Sequence, residues 1–137
     1  MRTVDGVFNE FAAALQFPWY FGRNWDAFDE CLSDLGWIEF ASFVLVVFDA
    51  DQVLVEDPVD MVALVRGVVG AYEEFSLPVE NGEWWDRPAK PFHVVLDAWC
   101  QEGERWSDAL AQVRRDPGGA RVSSEGTSLE RLAITDL

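Results

Sequence analysis

The chain has 137 residues, of which 25 are Asp or Glu and 10 are Lys or Arg, a formal net charge of −15 at pH 7. So few cations cannot cover a phosphate backbone, and an anionic bilayer repels such a chain, so direct nucleic-acid binding and a peripheral membrane role are not expected. Half of the residues are apolar and seven are Trp, enough for one packed domain whose natural partner, on charge, is a basic protein.

Phe8, Phe11, Ala12 and Leu15 recur at helical spacing. They predict a first helix over 6–16 with Asp5 as its N-cap, stopped by Pro18. A turn-rich aromatic loop follows over 17–23, then a second helix over 24–35. The continuously apolar run 43–48 reads as a strand buried on both faces, and it is far too short to cross a bilayer. A further helical region starts near Asp51. The next clear helix opens with Asp57 as N-cap and Pro58 at its first position and continues to Tyr72. Residues 76–91 form a long Pro/Gly/Trp loop, 92–96 a second buried strand, and 104–113 a short helix. Residues 116–128 have loop composition.

Helices alternating with buried strands imply a small single-domain α/β fold, a parallel sheet of two to three strands packed by helices. Residues 1–97 form the domain, and 98–137 are a C-terminal extension of a short helix and a flexible tail. The net charge divides unevenly: residues 1–100 hold 18 acids and 5 bases, and 101–137 hold 7 and 5. Residues 1–5 lack the pattern of a signal peptide, and two cysteines make no disulfide framework. Cys31 and Cys100 are read as reduced thiols in a cytoplasmic monomer.

The strongest signal lies in 17–35. At about 100° per residue, Trp25, Ala27, Phe28, Cys31, Leu32 and Leu35 share one face of the second helix, and Asp26, Asp29, Glu30, Ser33 and Asp34 share the other. Asn24 suits the helix cap and Gly22 the tight turn before it. An acidic helix face is often no more than a solvated one. Here Trp19, Tyr20 and Phe21 precede it and Trp37 follows it, and aromatic anchors beside fixed charges are the composition of a protein-binding surface. Phe21 and Trp25 are expected in the core.

The run Pro18, Tyr20-Phe21-Gly22, Asn24 and Asp26-Ala27, followed by Glu30-Cys31-Leu32, resembles the signature of barstar-like proteins, intracellular inhibitors of basic guanyl-specific ribonucleases. The resemblance implies the function: a stoichiometric inhibitor that blocks a ribonuclease active site with carboxylates in place of RNA phosphate. It implies that Asp26 pairs with basic groups of the nuclease and that Glu30, in place of the family's dominant aspartate, enters its active site. Tyr20 matches an interface tyrosine, and Gly22 and Asn24 match the loop frame. Asp29 stands where the family has a tryptophan, which hands the aromatic role to Trp19 or Trp25. Trp37 resembles a tryptophan that follows the helix, and Glu73 or Glu74 an acid on the later helix. Proteins of this kind begin with a strand before the first helix. Only four residues precede Asp5 here, so a sheet lacking that edge is expected, from a truncated start or with 129–134 in its place.

Two other readings stand beside this one. An acidic interaction module for some other basic protein has the same composition. A divalent-metal-dependent hydrolase would use Asp49 and Asp51 after the first strand. Asp-x-Asp is a weak motif without a glycine-rich phosphate loop, and His93, Cys31 and Cys100 lack metal-ligand spacing. No enzyme activity, catalytic residue, metal or cofactor is expected.

Overall fold

The structure is a computed structural model that describes residues 1–98 and 104–115. In chain order it contains α1 (Val4–Ala14), α2 (Trp25–Asp34), β1 (Phe43–Val47), α3 (Met61–Ser76), β2 (Phe92–Leu96) and α4 (Glu104–Arg115). Short 3-10 turns lie at Ala50–Gln52 and Pro58–Asp60. The fold class is the expected one.

β1 and β2 pair in parallel, Phe43 opposite Phe92 and Val47 opposite Leu96. Phe43, Val47, Phe92, Val94 and Leu96 point into the core, where Phe75 of α3 stacks on Phe92 at 5.8 Å and 13°. The expectation of strands buried on both faces is corrected. Val44 is 63% exposed and Phe48 68%, and His93, opposite Val44, is exposed too. An unbroken apolar run cannot reveal this, because it carries no alternation from which to read an open face.

Two helix starts and one turn residue differ from the sequence reading. Thr3, not Asp5, caps α1, its hydroxyl accepting Gly6 N–H at 3.1 Å, and Asp5 falls in the first turn. Asp57 does not cap α3; Pro58–Asp60 form a 3-10 turn, α3 begins at Met61, and the Asp57 carboxylate accepts Val4 N–H at 2.8 Å. Before α2 the left-handed residue is Arg23, φ 50°, rather than Gly22. Asn24 caps α2 as expected, accepting Ala27 N–H at 2.9 Å. The residues before α1 join no sheet. Met1 and Arg2 carbonyls accept the N–H groups of Leu54 and Glu56 at 2.9 and 3.1 Å, and among the described residues the sheet has two strands.

α2 lies along α3. Trp25 Nε1 donates to Asp60 at 2.8 Å, Phe28 rests on Gly67, and Asp29 lies over Gly70, so the two helices run in the same direction. Phe28 is fully buried, its ring 5.0 Å from Phe11, 5.4 Å from Trp25 and 5.9 Å from Phe8. The described core continues beyond β2. Trp106, Ala109, Leu110 and Val113 of α4 belong to the same buried cluster, Trp106 Nε1 donates to Ala50 O at 3.0 Å, and Arg105 donates to Leu54 O at 3.1 Å.

Two outcomes follow for stability. A Cβ at 67 would stand 3.0 Å from Phe28 Cε1, within a ring cluster that cannot yield; one at 70 meets a single atom, Asp29 Oδ1, at 3.2 Å, at the end of an exposed side chain. Alanine in a helix is favoured over glycine by about 1 kcal/mol, while overpacking costs about 1–3 kcal/mol. Urea unfolding should therefore place Gly70→Ala at or above the native stability and Gly67→Ala at least about 1 kcal/mol below Gly70→Ala. Trp106→Ala removes a buried indole and its bond to the Ala50 carbonyl, and should cost about 3–5 kcal/mol in the same measurement.

Candidate functional site: the acidic face of the second helix

The division of α2 into two faces is as expected. Phe28, Cys31, Leu32 and Leu35 are buried; Asp26, Asp29, Glu30 and Asp34 are exposed and Ser33 is half-buried. Leu35 ends the helix in the left-handed region at φ 42°, its N–H bonded to Cys31 O at 3.2 Å. Like charges at this spacing cost a few tenths of a kcal/mol per pair, and only Asp26 lies where the helix dipole favours an anion. Among the described residues, neither Asp26 nor Glu30 has an ion-pair partner. The nearest base in sequence, Arg23, turns away to α1, donating to Asn9 Oδ1 at 2.8 Å and Asp5 Oδ1 at 3.0 Å. The face therefore keeps its negative potential. Its reach shows at Cys31, whose thiol is pushed up by burial first and then by Glu30 and Asp34.

The aromatic residues sort into two groups. Trp19 is 96% exposed and Tyr20 is also exposed, the two rings edge to face at 5.9 Å. Phe21 and Trp25 pack on Phe8, as expected of core residues. Trp37 is half-buried, donates its indole N–H to Leu15 O at 2.9 Å and packs on Phe17, so much of its ring is spent on the fold. Trp25 is tied to Asp60, which leaves Trp19 as the fully projecting indole in the loop before α2.

The structure also separates Glu73 from Glu74. Glu73 stands one turn beyond Gly70, on the stripe of α3 that faces Asp29, and burial pushes its carboxyl above the ordinary glutamate value. Glu74 instead accepts a bond from Arg87 at 3.2 Å. Gly22 and Asn24 frame the loop through a bond from Asn24 Nδ2 to Gly22 O at 3.3 Å. Asp49 and Asp51 lie apart from this surface, at the end of β1. Asp51 is buried and accepts Gln52 Nε2 at 2.8 Å, and among the described residues no group of three or more His, Cys, Asp or Glu is gathered to hold a metal. Cys100 and 129–134 lie outside the described residues. No described helix is long and apolar enough to cross a membrane.

The described residues thus form a small parallel α/β domain with an acidic helix face and two projecting aromatic rings in the loop that precedes that helix. The family model of barstar, the barnase inhibitor, matches residues 1–97. The chain belongs to the barstar family. No curated protein and no solved structure matches it.

The raised carboxyl of Glu73 sets a pH dependence. A carboxyl whose folded pKa lies above its unfolded value binds protons more tightly when folded. Its penalty is absent below the unfolded pKa, near pH 4, and grows as pH rises through the folded pKa. Glu73→Gln should therefore stabilise the free protein near pH 7, with the advantage vanishing below about pH 4. Melting temperatures of both proteins across that range provide the check.

Proposed function

We propose that this protein is a reversible, stoichiometric inhibitor that occupies the active site of a basic guanyl-specific ribonuclease with the acidic face of α2. The observation that carries the reading is the set of exposed carboxylates on that face, Asp26, Asp29, Glu30 and Asp34, beside the projecting Trp19 and Tyr20, within the part of the chain that matches the family. A ribonuclease site is lined with cations that hold RNA phosphate. Carboxylates aimed into it form charge-assisted hydrogen bonds of the same kind.

In this reading Asp26 and Glu30 engage the Arg, Lys and His groups of the nuclease. Tyr20 and Trp19 pack on the rim, Ser33 and Asp29 border the contact, and Glu73 extends it onto α3, with Trp37 as a partly buried buttress. The charge excess steers encounter over distances of about a Debye length, so association is fast at low salt and slows as salt screens it. The protein performs no chemistry on a substrate, needs no cofactor, and acts as a monomer in the cytoplasm.

Titration of a guanyl-specific ribonuclease with the protein should show inhibition that ends at one equivalent and weakens with salt. Glu30→Ala and Asp26→Ala should each weaken binding by about 2–5 kcal/mol, the range for truncating one partner of a buried charge pair, to which complexes of this family contributed. Asp108→Ala, on the exposed side of α4, should change little. Absence of inhibition across several such nucleases overturns the reading, and equal effects of the three variants would place the contact on another face.

A further inference from the structure

The connection between α3 and β2 is a built loop. Val79 and Arg87 form an antiparallel bridge with N–H to O distances of 2.8 and 3.0 Å. At its tip the Asp86 carboxylate accepts the N–H groups of Asn81 at 3.0 Å and Gly82 at 2.8 Å, with Gly82 at φ 79°, and Asp86 N–H returns to Glu83 O at 3.1 Å. Arg87 is drawn inward. Its guanidinium donates to Leu77 O and Glu74 O and stands 5.1 Å over the Phe75 ring.

This frame holds two indoles out of the core. Trp84 is 89% exposed and Trp85 50%, with their rings edge to face at 5.3 Å. Between 80 and 86 the tip carries Glu80, Glu83 and Asp86 and no base. Exposed indoles raise the free energy of the unbound protein, and a frame that fixes them lowers the entropy cost of binding through them. An aromatic pair beside exposed carboxylates, Glu80 and Glu83 among them, repeats on a separate loop the composition found at Trp19 and Tyr20.

We propose that the 80–86 loop tip is a second docking surface, distinct from the acidic face of α2, that takes Arg and Lys side chains of a basic protein. The indole faces attract the cation through their quadrupoles, and the three acids supply the complementary charge. A lipid surface is the other environment that exposed Trp suits, but three acids without a base oppose an anionic bilayer. The inference extends beyond inhibition of a nuclease and does not depend on it.

The test follows the indole N–H signals of Trp84 and Trp85 by NMR in the full chain, titrated with octa-arginine, octa-glutamate or phosphatidylcholine vesicles. Octa-arginine should move both signals saturably, in the native protein and equally in an Asp26→Ala/Glu30→Ala variant. Adding Trp84→Ala to that variant should weaken its remaining peptide affinity about two- to five-fold, the worth of an exposed cation–π contact, with the melting temperature unchanged. Signals that do not respond to octa-arginine, respond equally to octa-glutamate, or stop responding in the α2 variant overturn the proposal. So does a response to vesicles without one to peptide, which would assign the tip to lipid.

Discussion

The close approach of α2 to α3 at Phe28 and Gly67 is the contact on which the rest of the molecule depends. Phe28 reaches α3 because residue 67 has no side chain, and the space so opened lets Phe8, Phe11, Phe17 and Trp25 gather around one ring. That cluster fixes the rotation of α2 about its axis. With Phe28, Cys31 and Leu32 turned inward, the helical period places Asp26, Asp29 and Glu30 outward. The same contact carries Asp29 over Gly70 and aligns the α3 stripe that bears Glu73 with the acidic face. An interaction among apolar groups thus orients the charged surface.

That surface is frustrated in the free protein. Its carboxylates repel one another, the neighbouring base is engaged with α1, and the Cys31 thiol is pushed up by burial and then by their field. Natural sequences are locally consistent except where function requires otherwise, and the proposed role as an inhibitor gives this charge pattern a reason. The aromatic side chains divide along the same line. Those near Phe28 are held by the core, whereas Trp19, Tyr20 and Trp84 stay in water. α4 adds to stability without touching this surface, since its buried residues and its bonds to Ala50 and Leu54 belong to the core.

Several features are legible in the sequence because they rest on short-range physics. The period of α2, its Asn24 cap and the segregation of its acids are properties of one helix, and two short apolar runs separated by a helical segment sufficed for a parallel α/β sheet. Other features were not legible for stated reasons. Asp5 and Asp57 are both good caps by type, yet Thr3 takes the first role, and Asp57 is diverted by Val4 from fifty-three residues away. The open sheet face was hidden because Val44, Val46 and Phe48 are apolar although exposed. That Glu74 rather than Glu73 is paired depended on Arg87, a residue in the following loop.

The amino-acid sequence by itself determined the charge, the two faces of α2 and the family, because these follow from composition, helical period and a run of residues at fixed spacing. Only the tertiary structure decided which aromatic rings project, which α3 acid pairs with Arg87, that α4 joins the core, and that Asp86 and Arg87 brace the Trp84–Trp85 loop. Those outcomes depend on contacts between residues distant along the chain, and neither propensity nor period encodes which of several chemically suitable partners a side chain will meet.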